Sequence, residues 1–444
     1  MDSGELLMVG VPAAAAAGGL AWRAAHPVSF WVCCGFPVKA VRVYAGWPEV
    51  ARACGLTRKA TRVTLEGTRP KKVTVDKAPR LGVARPTAFG WRLPVRLHRG
   101  QVPEDYLAAA ERLRHAWSVQ AVRVYDAGPG RVVLVATLRD PLENVAGVPE
   151  SSDLLVVTVG RLETGEPWTI DFRVVPHWLV VGATQSGKST LLNALVKGLA
   201  PQPVALVGFD LKGGVELTPY AERLSALATT RAECVALLED LVAILAERMR
   251  LCRQAKVRNV WRLPADQRPT PIVVVVDEIA ELYLMADKAE KDEIAKTSTA
   301  LLRVAQLGRA FGVYLIVAGQ RVGADLGPGV TALRAQLSGR VCHRVNDPET
   351  AKMTLGDLNP DALEASLRIP PAAPGTAIVA GADGRWYRAR SAHISEEQAE
   401  QAARAFAHLA PAWADLKATT GPVSVADLDQ AAEEFGDEPP AHAA

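Results

Sequence analysis

A nine-residue glycine loop constrains this chain more than any other feature of its sequence. The loop fits the pattern G-x-x-x-x-G-K-[ST] and consists of Gly182, Ala183, Thr184, Gln185, Ser186, Gly187, Lys188, Ser189 and Thr190. A short apolar run precedes the loop and a helical pattern follows it, which is the order that places loop N–H groups and a helix N-terminus around a phosphate. The pattern predicts a P-loop, in which Lys188 reaches the β- and γ-phosphates of ATP and Ser189 holds Mg²⁺.

The arrangement of apolar runs around this loop predicts an α/β fold. Runs that read as buried strands occur at residues 178–181, 204–209, 272–276, 313–318 and 341–345. They alternate with helical patterns, and such alternation is typical of βαβ crossovers and a mainly parallel sheet. At 444 residues, the chain is too long for one ordinary core, so two or three domains are expected.

Two acids follow the most β-branched of these runs. The strand at residues 272–276 ends in Asp277 and Glu278, and ligands bind at the carboxyl ends of parallel strands. Asp277 is therefore expected to share the Mg²⁺ shell with Ser189, and Glu278 to polarise the attacking water.

Other strand ends supply further candidates. Gln320 can sense the γ-phosphate by exchanging hydrogen-bond partners, although an ordinary strand cap explains it too. Arg309 and Arg340 are both candidates for an arginine that acts on a neighbouring subunit's nucleotide, with a structural salt bridge as the alternative for each. Lys212 and Arg334 are candidates for a pore or an interface.

Charge and hydropathy differ strongly along the chain. Residues 6–22 carry no formal charge, which predicts an anchor that joins a membrane at its cytoplasmic face, or alternatively a buried apolar helix in a cytoplasmic protein. Residues 39–99 contain fifteen Lys and Arg against three acids, so they favour an anionic partner, either lipid headgroups or nucleic acid, although a merely solvated surface explains them too. The six cysteines have no metal-ligand spacing and suit a reducing cytoplasm.

These patterns divide the chain into five segments. Residues 1–57 are a predicted apolar anchor, 58–90 a basic linker and 91–150 a small α/β module of β-α-β-β order. Residues 151–394 form the P-loop ATPase domain. Residues 395–444 carry one predicted helix, from 396 to 409, and an acidic tail expected to be loosely ordered.

The chain resembles the FtsK/SpoIIIE family of hexameric DNA-pumping ATPases, and especially the transfer proteins of actinobacterial conjugative plasmids and integrative elements. The motifs that carry the resemblance are Asp210-Leu211-Lys212, Val276-Asp277-Glu278-Ile279-Ala280-Glu281-Leu282, Gly308-Arg309-Ala310-Phe311-Gly312-Val313-Tyr314, Ala318-Gly319-Gln320-Arg321 and the segment at residues 333–341. The family has Pro where this chain has Leu211, and Thr where it has Gly319. Many relatives also carry a C-terminal winged helix, for which too few residues follow Ile394.

The resemblance implies a RecA-like motor domain and a homo-hexamer that moves double-stranded DNA with ATP and Mg²⁺. Movement of plasmid or chromosomal DNA across a membrane or septum, in conjugation or segregation, is the expected function. Two other functions stay open: an ATPase that energises protein secretion, and a nucleotide-gated scaffold that does not hydrolyse ATP. Glu278 argues against the scaffold.

Overall fold

The computed structural model describes residues 21–66, 69–145, 149, 151–284, 291–356, 360–381, 384–417 and 423–437. It divides into two compact units, Met1–Glu143 and Asn144–Ala444. The uncharged stretch at residues 6–22 lies almost entirely outside the described part of the chain.

The described residues of the first unit form two long helices, a short helical segment at residues 21–25 and two antiparallel sheets. Its elements are α1 (Pro27–Ala53), β1 (Arg58–Glu66), β2 (Arg69–Lys77), β3 (Arg80–Leu81), β4 (Arg85–Thr87), β5 (Gly90–Arg96), α2 (Pro103–Trp117), β6 (Ala121–Asp126) and β7 (Arg131–Thr137). Strands β3, β5, β7 and β6 pair in that order, with β4 also paired to β5, while β1 and β2 form a separate hairpin. The predicted β-α-β-β order corresponds to β5, α2, β6 and β7.

Two of the predicted boundaries in this unit are wrong. Residues 58–90 are not a linker, because β1 to β4 occupy most of them. Two prolines of this segment, which would be typical of a linker, stand where strands tolerate them: Pro70 lies in a two-stranded hairpin and Pro86 in the short strand β4 at the sheet edge. The small module also begins before residue 91, since β3 and β4 both pair with β5.

Helix α1 packs one face on this module. Val43, Trp47 and Ala51 are buried in the same apolar cluster as Trp91 and Trp117. The indole of Trp47 donates to the carbonyl of Pro79 over 2.8 Å. One face of this part of the predicted anchor, which carries Val43, Trp47 and Ala51, is therefore part of the module's core. Within the described residues, this helix is also the one that is long and apolar enough to cross a membrane.

The second unit is built on a ten-stranded sheet with helices on its faces. Its strands are β8 (Val156–Leu162), β9 (Pro167–Asp171), β10 (His177–Val181), β11 (Ala205–Phe209), β12 (Ala226–Ala228), β13 (Ile272–Val276), β14 (Val313–Gly319), β15 (Gly339–His343), β16 (Thr376–Ala380) and β17 (Trp386–Ser391). Its helices are α3 (Lys188–Leu199), α4 (Arg231–Gln254), α5 (Ile279–Tyr283), α6 (Lys291–Phe311), α7 (Val330–Gln336), α8 (Pro348–Leu355), α9 (Pro360–Leu367), α10 (Glu396–Ala405), α11 (Trp413–Leu416) and α12 (Val425–Asp437).

The strand order of the second unit separates a parallel part of the sheet from an antiparallel part. The sequence across the sheet is β12-β11-β13-β14-β10-β15-β16-β17-β8-β9, and the first six strands are parallel. Every residue of β10, β11, β13 and β14 is buried, as expected for strands covered on both faces. The predicted α/β fold with a mainly parallel sheet is confirmed. The four antiparallel strands β16, β17, β8 and β9 at one side were not predicted.

Residues 425–437 of the C-terminal segment are more ordered than the sequence indicated. Leu428 of α12 is fully buried in the cluster formed by α4 and α6, and the rings of Phe435 and Phe311 meet edge to face at 5.6 Å. Both oxygens of the Asp429 carboxylate contact the Arg303 guanidinium, at 2.7 and 2.8 Å. The prediction of a single helix followed by a loose tail is therefore wrong for residues 425–437.

Candidate active site

The predicted P-loop joins the carboxyl end of β10 to the start of α3. Gly187 has φ 104°, a conformation that L-residues rarely adopt, and a Cβ there would lie 2.1 Å from the Gly375 nitrogen. That same nitrogen donates to the carbonyl of Ser186 over 2.9 Å. The loop is thus held from outside by the turn that leads into β16, and position 187 has room only for glycine.

Lys188 connects the P-loop to the end of β13. Its ammonium donates to the main-chain carbonyl of Asp277 over 2.9 Å. It also lies 3.6 Å from an oxygen of the Asp277 carboxylate and 3.6 Å from one of Glu278. The structure therefore brings together the lysine and the two acids that the sequence assigns to ATP binding and hydrolysis.

Glu278 is held at both carboxylate oxygens. Its Oε1 accepts the backbone N–H of Gln320 over 3.2 Å, which ties it to the end of β14. Its Oε2 accepts from the ammonium of Lys212 over 3.3 Å. Gly319 makes this approach possible, because a Cβ there would lie 3.0 Å from Glu278 Oε1. The glycine that replaces the family's threonine stands directly against the candidate base.

Lys212, a candidate for a pore or an interface, lies at this carboxylate pair. Besides Glu278, its ammonium is 3.4 Å from an oxygen of Asp277. Burial lowers the pKa of Lys212 more than any other single influence, but the two carboxylates together outweigh burial and raise it. Arg334, the other pore candidate, donates to the carbonyl of Val322.

The residues present fit a hard divalent cation. Asp277 is fully buried, and its carboxylate oxygens lie 3.6 Å from the Lys188 ammonium and 3.4 Å from the Lys212 ammonium. A carboxylate is the type of ligand that Mg²⁺ prefers, and a cation bound here would compete with these two ammonium groups. Ser189 donates its hydroxyl proton to Glu216 over 3.1 Å, so its own lone pairs stay available for a cation. Asp277 and Ser189 are therefore suitable Mg²⁺ ligands.

The two candidate trans-acting arginines lie away from their own P-loop. Arg309 is exposed near the end of α6. Burial lowers the pKa of His177, the first residue of β10, to about 4, and the nearby charge of Arg309 adds to this shift. Arg309 therefore sits at the opposite edge of the sheet from the P-loop. Arg340 is half-buried in β15 and donates to the carbonyl of Arg334 over 2.7 Å. Burial lowers the pKa of Arg340 to about 10, and Arg334 adds to the shift.

His343, the last residue of β15, and Arg344, which follows it, support the P-loop. Neither residue was predicted from the sequence. His343 is fully buried, and a Cβ on Gly182 would lie 2.8 Å from its Cβ. Burial lowers the pKa of His343 to about 4, with Lys188 contributing and the Thr376 carbonyl opposing. Arg344 donates to the carbonyl of Thr184 over 3.1 Å. Their position at the carboxyl end of a strand beside β10 is the signal that could have identified them.

This edge of the sheet is organised as in P-loop ATPases, with a lysine-bearing loop facing two acids at a neighbouring strand end. Comparison with known proteins identifies one branch of that class. The FtsK/SpoIIIE family model matches residues 144–268 and 261–324, and the model described as "Actinomycete conjugal transfer protein N-terminal domain" matches residues 16–138. The chain belongs to the FtsK/SpoIIIE family and is a nucleotide-binding ATPase.

Individual relatives agree with this assignment. The chain is 41% identical over 374 residues to "Transfer protein TraSA" of Streptomyces ambofaciens, which covers 81% of this chain and 90% of that protein. It is 48% identical over 252 residues to "Sporulation regulatory protein" of Streptomyces azureus, covering 57% of this chain and 81% of the relative. It is 30% identical over 237 residues to "DNA translocase FtsK" of Sporosarcina ureae, covering 49% of this chain and 29% of the relative.

A solved structure has the same fold. The pCW3 conjugation coupling protein TcpA, in its monomer form with ATPγS, aligns with a TM-score of 0.54 and 20% identity. The alignment covers 74% of this chain and 94% of TcpA.

Proposed function

We propose that this protein is an ATP-driven translocase of double-stranded DNA that acts in conjugal transfer. The family assignment supports a motor of this kind, and the relative that matches most of the chain is named a transfer protein. The observation that carries the proposal is the contact of Glu278 with Gln320, because it joins the candidate catalytic base to the end of a second strand.

The roles of the residues follow from their positions. Lys188 neutralises phosphate charge, and its bond to the Asp277 carbonyl keeps it at the mouth of the P-loop. Glu278 accepts a proton from the attacking water, and Lys212 and the Gln320 N–H fix its orientation. Mg²⁺, when bound at Ser189 and Asp277, supplies charge stabilisation for the departing phosphate. A change at the phosphate would reach β14 through Gln320.

A ring assembly would complete the site. We propose that a homo-hexamer places an arginine of one subunit at the nucleotide of the next. Arg309 suits this role better than Arg340, because it is exposed while Arg340 is half-buried and bonds within its own chain. Binding of DNA through phosphates would be insensitive to sequence and would weaken with added salt.

Triplex displacement tests the proposal directly. Purified protein is given duplex DNA that carries a labelled third strand, and release of that strand is followed with and without ATP. We expect ATP-dependent release and stimulation of ATP hydrolysis by duplex DNA. Lys188→Ala is expected to abolish both, whereas Lys256→Met, at an exposed lysine just after α4, serves as the control.

Two outcomes would overturn the proposal that this protein is a DNA motor. One is ATP hydrolysis at the same rate with and without duplex, together with no strand release. The other is hydrolysis that responds to a protein partner and not to DNA, which would support secretion of protein.

We also propose that the first unit attaches to a membrane. Val38 and Val41 on α1 are 56% and 68% exposed, and the helix is followed by the basic strands β1 and β2. Apolar side chains next to a basic segment favour an anionic lipid surface. Val41→Glu should reduce co-sedimentation with anionic vesicles, and equal sedimentation of variant and wild type would contradict this surface.

A further inference from the structure

The loop between β11 and β12 contacts both halves of the site with side chains of opposite charge. Its Lys212 ammonium bridges the carboxylates of Asp277 and Glu278. Its Glu216 carboxylate accepts the hydroxyl proton of Ser189. Asp277 and Ser189 are the two candidate Mg²⁺ ligands, so each is in contact with one charged residue of the same loop.

Asp210 makes this loop a fixed unit. Its fully buried carboxylate accepts the backbone N–H groups of Lys212, Glu216 and Leu217, at 3.3, 2.8 and 2.7 Å. A carboxylate with three such bonds defines the path of the backbone between them. Lys212 and Glu216 therefore reach the site from set positions, four residues apart on one turn.

We propose that Lys212 and Glu216 are positioning residues that set the Mg²⁺ affinity of the site in opposite directions. The inference rests on the proposed function, in that it takes the site to bind Mg²⁺ with ATP. By accepting the Ser189 proton, Glu216 orients that hydroxyl's lone pairs and makes the oxygen a better ligand. Lys212 places a positive charge against the Asp277 carboxylate, which opposes a cation there, while it holds Glu278 in position.

The two residues therefore differ in the sign of their effect. Glu216→Ala removes the orienting acceptor and a negative charge, and should weaken Mg²⁺ binding roughly ten-fold. Lys212→Met removes a positive charge and should strengthen Mg²⁺ binding by about ten-fold. Lys212→Met should also lower kcat without raising the KM for ATP, because Glu278 loses one of its two hydrogen-bond partners. Lys212→Arg keeps the charge, so its Mg²⁺ affinity and its kcat should both be close to those of the wild type.

The experiment is a Mg²⁺ titration without DNA. Full-length protein binds a fluorescent, non-hydrolysable ATP analogue, and the Mg²⁺ concentration at half-maximal signal is compared between variants. Lys256→Met is the matched control for loss of a lysine, and thermal unfolding confirms that each variant is folded. If Lys212→Met fails to fold, Lys212→Gln replaces it with the same expected shift. If Glu216→Ala fails to fold, Glu216→Gln replaces it, with a smaller expected shift in the same direction.

Each outcome decides the question. Shifts of opposite sign, with Lys212→Arg close to wild type, support the inference. Shifts in the same direction would mean that the loop only maintains the structure. Unshifted curves would mean that the loop does not influence the cation. Either result overturns this inference but leaves the proposed function intact. If the wild type binds no analogue, the proposed function fails along with it.

Discussion

The ammonium of Lys188 donates a hydrogen bond to the main-chain carbonyl of Asp277 over 2.9 Å. In the sheet, β14 lies between β10, which leads into the P-loop, and β13, which ends just before Asp277, so the bond spans the end of β14. Gln320 at the end of that middle strand donates to Glu278. Three adjacent strands are thus joined at the edge where phosphate would bind, and a change in one contact would affect the others.

Glu278→Gln should separate nucleotide binding from hydrolysis. The amide oxygen can still accept the Gln320 N–H, so the geometry of the site is retained, but the amide cannot take a proton from water. We expect kcat to fall by about 10²- to 10⁴-fold with little change in ATP affinity. Hydrolysis and binding assays on the same preparation measure both, and turnover near the wild-type rate would remove Glu278 from its assigned role.

Gly319→Ala should disturb the same carboxylate by crowding. The added Cβ would lie 3.0 Å from Glu278 Oε1 and 3.0 Å from a methyl carbon of Ile279. We expect roughly ten-fold slower hydrolysis with nucleotide binding kept, and a loss of about 1 kcal/mol in unfolding free energy. Gly381→Ala is the control, because its Cβ would meet nothing closer than 3.9 Å. Equal hydrolysis rates in the two variants would contradict this explanation.

The docking of α12 can be tested at Leu428. This side chain is fully buried between helices α4 and α6, so Leu428→Ala should cost about 2–5 kcal/mol of local packing. Hydrogen exchange of residues 425–437 should then accelerate at least about ten-fold. Glu433→Ala, at an exposed position of the same helix, should leave exchange unchanged. Unaltered exchange in the leucine variant would show that α12 is not held by this contact.

His343 should make stability depend on pH below neutrality. Its pKa is lowered from the usual 6.5 to about 4, so the folded protein keeps it neutral while the unfolded chain gains a proton. The titration of His343 leaves the free energy of unfolding unaffected above pH 6.5 and lowers it as the pH falls from 6.5 towards 4. His343→Asn lacks this titration and keeps a donor for the Thr376 carbonyl. Between pH 7 and 5, we expect wild type to lose about 2 kcal/mol more than the variant in denaturant unfolding.

Features encoded over a few neighbouring residues were predictable from sequence. The strand–loop–helix unit around Gly187 and the strand that ends in Asp277 both lie within short segments whose pattern states their structure. Their meeting at one sheet edge follows from the parallel topology, which the alternation of strands and helices indicated. Lys212 could not be placed this way, because its position depends on the Asp210 carboxylate turning the loop back towards β13.

Composition misled the interpretation of two other segments. Residues 58–90 are rich in charge and proline, yet prolines fit a two-stranded hairpin or an edge strand without interrupting the pairing. In the acidic tail, Leu428 and Phe435 are spaced seven residues apart, with alanines between them, and so form an apolar helical stripe. The stripe became evident only with its partners, the faces of α4 and α6 that it covers.

The contact between the turn at Gly375 and the P-loop limits how this protein can be shortened. A fragment that ended after β15 would contain every recognisable nucleotide-binding motif and would look complete by alignment. It would nevertheless lack the backbone amide that holds the Ser186 carbonyl and the wall against which Gly187 is shaped. Expression boundaries for a minimal motor should therefore extend at least through β17, some fifty residues past the last motif.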